Sequence, residues 1–243
     1  MRPVKIVNAC VHNLLIGKAL IKFDVIMQVS FGIIFTKLLC QILCQGRNQT
    51  STVLCTFTAT QFLLQWLVDA RLVHKIYRST APGLPVAAYD DLSAFKIYLA
   101  DVGLLRRLAQ LAPTAFGEGN RLFTEFKGAL TENFVLQTLI TQFEVTPRYW
   151  AQTNPPYEVD FLIQRENDIF PVEVKSEANT TSRSLKKFKE LFPDQVKLRV
   201  RFSLDNLKLD DDVLNIPLFM ADQADRLIGL AMEKQLLQCQ SVP

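Results

Sequence analysis

The residues with the clearest chemical potential lie between Tyr157 and Ser176 (YEVDFLIQRENDIFPVEVKS). This stretch reads as two short strands around a tight turn at Glu166-Asn167. Centring the turn there puts Asp160 opposite Glu173 and Glu158 opposite Lys175. Side chains alternate faces along a strand, so these four groups share one face, while Val159, Phe161, Ile163, Phe170, Val172 and Val174 share the other. Directly opposed carboxylates repel and call for a metal ion or a shared proton. Mg²⁺ takes oxygen ligands and keeps several waters, so Asp160 and Glu173 suit it as metal ligands, with the Val174 carbonyl as a third oxygen. Such an ion polarises a phosphodiester and acidifies a bound water. Lys175 is placed to orient that water or to stabilise the charge that develops on the phosphorus oxygens. The pattern is Asp160, twelve intervening residues, then Glu173-Val174-Lys175. An E-x-K triplet alone is a weak signal, because chance supplies it in many strands. The competing structural reading is a solvated face of cross-strand ion pairs, each worth a few tenths of a kcal/mol or more.

The flanking segments supply the elements that must position these groups. Arg121–Phe143 has the apolar spacing of a long helix, and Glu132 falls on or beside its packed face. Arg148–Gln152 reads as a strand leading into the hairpin. Ser184–Phe192 reads as a helix with Leu185, Phe188 and Leu191 inward and its lysines outward, and Lys197–Ser203 reads as a half-buried strand. A strand at Val213–Met220 and a helix from Asp222 to about Leu237 follow. Upstream, Thr58–Ala70 reads as a helix, Leu72–Tyr77 and Phe95–Leu99 as strands, and Val102–Ala112 as a helix. Ala81–Pro85 and Pro113–Asn120 have turn-forming composition. Helix then strand around residue 72 is the pattern of a partial winged-helix-like unit. From Arg121 the order predicts an α/β core with a mixed sheet.

Composition bounds the partners. The chain has 243 residues, 49% of them hydrophobic, and a net charge of +3. That balance neither requires nor excludes nucleic acid, but the charge is uneven. Arg183–Arg201 carries seven basic residues against Glu190 and Asp194. Arg183, Lys186, Lys187 and Lys189, with Arg199 and Arg201, are candidate phosphate contacts, and a solvated helix face explains the lysines equally well. The five cysteines show no repeated paired spacing, which favours buried thiols and a reducing, cytoplasmic setting over disulfides or zinc. Val25–Cys44 is apolar over a span long enough for a bilayer, yet it contains Gln28, Lys37 and Gln41. A buried amphipathic helix is therefore favoured over a membrane span. His12 and His74 have no acid or nucleophile neighbour in sequence that would suggest a triad.

Several motifs resemble one family, in order along the chain. FKGALTENFVLQTL (Phe126–Leu139), YEVDFLIQ (Tyr157–Gln164), FPVEVKS (Phe170–Ser176) and NIPLFMA (Asn215–Ala221) look like the C-terminal domain of unknown function, family 4143, of prokaryotic AAA-type ATPases. LQWLVDARLVHKIYR (Leu64–Arg78) and AFKIYLADVGLL (Ala94–Leu105) resemble the segment joining its two modules. That domain is similar to PD-(D/E)XK nucleases. The resemblance therefore implies a nuclease-like α/β core, a mixed central sheet flanked by helices, after a partial winged-helix-like segment. It implies catalytic roles for Glu132, Asp160, Glu173 and Lys175, Mg²⁺ or Mn²⁺ as cofactor, and DNA as partner, with other protein chains as further partners. The expected organisation is an atypical hydrophobic, acid-poor segment over 1–55, a partial winged-helix-like and connecting segment over 56–112 and the nuclease-like α/β domain over 113–243.

The chain departs from the family upstream. It has no G-x-x-x-x-G-K-[ST]; the nearest fragment, Ile16-Gly17-Lys18-Ala19, lacks the first glycine and the hydroxyl. No ATP site and no ATPase activity are expected, and the chain reads as a truncated member whose first 55 residues replace the ATPase. Three readings stay open: metal-dependent hydrolysis of DNA phosphodiesters, a non-catalytic nucleic-acid-binding or regulatory domain, and an inactive remnant.

Overall fold

A computed structural model describes residues 64–111, 121–177 and 182–240. The acid-poor segment 1–55, its apolar stretch Val25–Cys44 and the loop Pro113–Asn120 lie outside the described residues. The elements are strands β1 (Val73–Ser79), β2 (Asp90–Leu99), β3 (Arg148–Gln152), β4 (Tyr157–Arg165), β5 (Asp168–Val174), β6 (Arg199–Ser203), β7 (Lys208–Asp210) and β8 (Val213–Pro217). The helices are α1 (Val102–Leu108), α2 (Arg121–Gln142), α3 (Arg183–Leu191) and α4 (Ala224–Gln240), with 3-10 turns at Val86–Tyr89 and Leu218–Gln223. No helix among the described residues is long and apolar enough to cross a membrane.

The chain divides into two compact units, Met1–Lys75 with Ser93–Leu111, and Ile76–Leu92 with Ala112–Pro243. In the first, helical residues 64–69 end at Arg71, whose φ of 57° turns the chain. The Leu72 N–H donates back to the Leu67 carbonyl at 2.9 Å, a closing bond that satisfies an otherwise unpaired helix carbonyl. Asp101 caps α1 by accepting from the Leu104 N–H at 2.8 Å. The helix stops at Leu108, short of the expected Ala112, because Gln110 adopts a φ of 56°.

The second unit is built on a mixed sheet of order β2-β1-β3-β4-β5-β6-β8-β7, which residues 76–79 of β1 and 90–92 of β2 enter at one side. The hairpin β4–β5 forms as its apolar alternation dictates, with Phe161 opposite Val172 and Arg165 opposite Asp168 around a turn where Glu166 has a φ of 53°. β5 then runs parallel to β6, and β6 parallel to β8. Phe161, Ile163, Phe170, Val172, Val200, Phe202, Leu214 and Ile216 are fully or almost fully buried. They form the sheet face closed by α2, α4 and the 3-10 turn at Leu218–Gln223. Gln142 bolts these covers together: its amide donates to the Ala221 carbonyl at 2.9 Å, and its Oε1 accepts from the Asp225 N–H at 3.2 Å.

The opposite face packs under α3. Leu185 and Phe188 meet Trp150, Val159, Leu162 and Ile169 in one buried cluster. The Phe188 ring stands edge-on to Trp150 at 5.1 Å. The 3-10 turn at Val86–Tyr89 joins this side, its Val86 N–H donating to Gln164 Oε1 at 2.9 Å.

One local feature departs from simple alternation. Trp150 pairs with Val159 but Arg148 pairs with Leu162, so β4 holds an extra residue between Val159 and Leu162. This is a β-bulge, and it reverses the faces of the residues before it. Val159 therefore shares the face of Trp150 and Leu162, where the sequence had placed it with Phe161 and Ile163.

Candidate functional site

The two halves of the hairpin part where the candidate residues begin. The β4–β5 ladder ends at Phe161 opposite Val172. Before that point β4 follows β3, with Glu158 paired to Ala151. Beyond it β5 follows β6, and the Lys175 N–H donates to the Phe202 carbonyl at 2.8 Å. The expected pairing of Glu158 with Lys175 therefore does not form. The bulge turns β4 away before the strands could meet there.

Asp160 lies in the bulged stretch, and its side chain occupies the parting of the strands. Its Oδ2 accepts from the Val174 N–H at 2.8 Å, so the carboxylate rests against the peptide joining Glu173 to Val174. Glu173 is buried, at 6% exposure. Lys175 Nζ contacts its Oε1 at 2.6 Å, while Oε2 is buried with no hydrogen-bond partner. A buried, unpartnered carboxylate oxygen carries an unrelieved desolvation cost. The structure thus brings Asp160, Glu173 and Lys175 together at the C-terminal end of β5.

Glu132 arrives from another element. A Cβ on Gly128 of α2 would stand 4.0 Å from Ser176 Oγ, just past Lys175. Glu132 lies one turn further along that side of the helix. It is half-buried. Among the described residues, no three His, Cys, Asp or Glu side chains converge as a metal cage, so Glu132 does not close one with Asp160 and Glu173. The donor set that fits a hard divalent cation is thus a pair of carboxylates, one with an orphaned oxygen. Mg²⁺, which ordinarily keeps several waters beside one or two carboxylates, suits such a pair.

The basic residues divide. Lys189 and Arg199 both bond Asp212, Arg199 through two nitrogens. Burial raises the Asp212 pKa, but the hydrogen bonds from Arg199 and Lys189 outweigh it and hold the carboxyl below its ordinary value. Lys187 lies 3.3 Å from Glu190 on its own helix. Arg183 and Lys186 are exposed on α3. His74 is half-buried, which pushes its imidazole pKa down and favours the neutral form.

Two features escaped the sequence reading. The bulge leaves no composition signal, because it is a mismatch between two registers. Asn133 and Asn215, each 2% exposed, are buried amides. Their only trace in sequence is a polar residue inside an otherwise apolar pattern.

Residues 127–219 match the model of the family described as Domain of unknown function (DUF4143), the family whose motifs the sequence resembles. Residues 55–115 match a second, described as Domain of unknown function (DUF8612). No curated protein and no solved structure matches the chain.

Proposed function

We propose that residues 113–243 form a PD-(D/E)XK-like nuclease domain that binds Mg²⁺ or Mn²⁺ between Asp160 and Glu173 and hydrolyses DNA phosphodiesters. The observation that carries this reading is the buried Glu173 Oε2, which lacks a partner beside the Asp160 carboxylate. A divalent cation there would supply a Lewis acid for the phosphoryl oxygen and a water acidified toward neutral pH. Asp160 is held in place by the Val174 N–H, so its carboxylate is pre-positioned rather than recruited. Lys175 holds Glu173 through Oε1 and keeps an ammonium at the mouth of the site, where it orients the attacking water and offsets charge on the phosphate. Glu132, carried by α2 to the end of β5, supports the water shell. The upstream residues are read as the AAA-type family's connecting segment, partly winged-helix-like. The helical turn into β1 and the match over residues 55–115 are compatible with that reading.

One observation favours a second reading, a non-catalytic nucleic-acid-binding or regulatory domain. Lys175 already satisfies half of Glu173 at 2.6 Å, as an ion pair retained only for structure would. Plasmid DNA incubated with the purified chain and Mn²⁺ separates the two. Cleavage should fall by roughly a hundredfold or more in Asp160→Ala and in Lys175→Ala, the scale of losing a group that acts on the transition state. Activity that survives both substitutions would assign the chemistry elsewhere; DNA binding without cleavage would establish the second reading.

A further inference from the structure

Glu173 has a cationic neighbour on the adjacent strand. In the parallel ladder Glu173 registers with Arg201, and Arg201 registers with Asn215 on β8. Residues in register lie side by side on one face, about 4.8 Å apart. Glu173, Arg201 and Asn215 therefore form a polar row across three strands, on the face that α3 covers only nearer the start of β5.

The row is built to aim the arginine. Arg201 Nε donates to Asn215 Oδ1 at 2.9 Å. The Ser203 hydroxyl donates to the same oxygen at 2.8 Å. The amide nitrogen of Asn215 donates to the carbonyls of Asp205 and Asn206 at 3.2 Å and 2.9 Å. Asn215 is thus locked by two acceptors and two donors while 2% exposed. A locked amide fixes the plane of the guanidinium it receives. Arg201 itself is half-buried. Arg199, two residues earlier on the same face, is committed to Asp212 through two nitrogens. A planar fork held at a fixed angle beside a carboxylate site is suited to a phosphate oxygen, because the guanidinium matches phosphate geometry.

From this we infer that Arg201 is a DNA phosphate-binding residue next to the Asp160–Glu173 site, and that Asn215 is its positioning residue. The inference rests on the nuclease-like reading and deepens it. The Arg201 contact would hold the strand with one phosphodiester over Glu173, while Lys175 serves the reacting group.

The test uses the full chain, a fluorescent DNA strand in Ca²⁺, a salt titration, and calorimetry with Mn²⁺. Arg201→Ala should weaken DNA binding about tenfold and lower the salt slope by about one, with Mn²⁺ affinity unchanged. Arg201→Lys keeps the charge but loses the fork, so it should weaken binding less and keep the slope. Asn215→Ala should weaken binding with the slope intact; should that variant fail to fold, the two arginine variants still decide. Wild-type binding with Arg201→Ala unaltered would overturn the inference and leave the nuclease-like reading standing. Loss of Mn²⁺ affinity in Arg201→Ala would also overturn it, since Arg201 would then serve Glu173. A wild type that binds neither Mn²⁺ nor DNA would remove the nuclease-like reading, and the inference with it.

Discussion

Glu173 is the residue on which the site turns. Its carboxylate is buried, one oxygen is engaged by Lys175, and the other meets no donor. Natural interiors leave few polar atoms in that state, and those that persist commonly mark a bound ion, a water or a chemical role. Glu173→Gln tests which. Without metal, the variant should unfold at or above the wild-type midpoint, because a buried charge has been replaced by a neutral amide. With Mn²⁺ at a hundred times its dissociation constant, the wild type should gain about 2.7 kcal/mol and the variant little of it. Thermal unfolding with and without Mn²⁺ reads both. The bulge ends the ladder one pair short of the expected opposition of Asp160 and Glu173, and Asp160 meets the Val174 N–H instead, but the register from Phe161 to Arg165 was legible in the sequence because a two-residue turn fixes it. Arg201 beside Glu173 was not, because that pairing joins strands separated by a helix, and parallel register leaves no trace in chain spacing.

At the scale of elements, long periodic segments declared themselves. The helix expected over Arg121–Phe143 runs Arg121–Gln142, and the strand Arg148–Gln152 has the bounds expected of it. Shorter and polar segments did not. β2 begins at Asp90 rather than Phe95, because two aspartates at its start are poor strand formers and are held there by ion pairs to Arg148 and Arg78. β7 has three residues and was missed. The strand expected to reach Met220 stops at Pro217 and becomes a 3-10 turn. The clamp at Asp212 ties α3 to the starts of β6 and β8 through Lys189 and Arg199. Its folded pKa lies below the ordinary 3.8, so its stabilisation is fully present above that value and is lost as pH falls through the lower folded value. The stability difference between wild type and Asp212→Asn should accordingly stay constant from pH 7 to about 5 and close below 3.8. Urea unfolding across that range measures it, and a difference that widens on acidification would contradict the clamp.

For the molecule as a whole, the notable fact is that its units are discontinuous: Ile76–Leu92 belongs with Ala112–Pro243, across an intervening stretch of chain. Arg148 and Asp90 join the two segments by a bidentate pair at 2.6 Å and 2.9 Å, each side chain only 13% exposed. Removing one partner of a pair this buried strands the other charge. Arg148→Ala should cost about 3 kcal/mol, near the low end for such a pair, and Arg148→Lys less. Equilibrium urea unfolding with an unchanged slope would establish the cost; a loss below about 0.5 kcal/mol would mean the pair behaves as a surface bridge. Nothing in the composition points to this join, because the two segments are far apart in the chain.

The bulge in β4 also predicts which changes of length the gene tolerates. Adding or removing residues at the Glu166-Asn167 turn alters a loop, and the ladder from Phe161 to Arg165 can keep its partners. Deleting a single residue between Val159 and Leu162 is different in kind. It would close the bulge, leave Val159 on the face of Trp150 and Leu162 by ordinary alternation, and remove Asp160 from the gap between the strands. Length variation among functional relatives should therefore gather at the turn and be absent from the four residues that span the bulge.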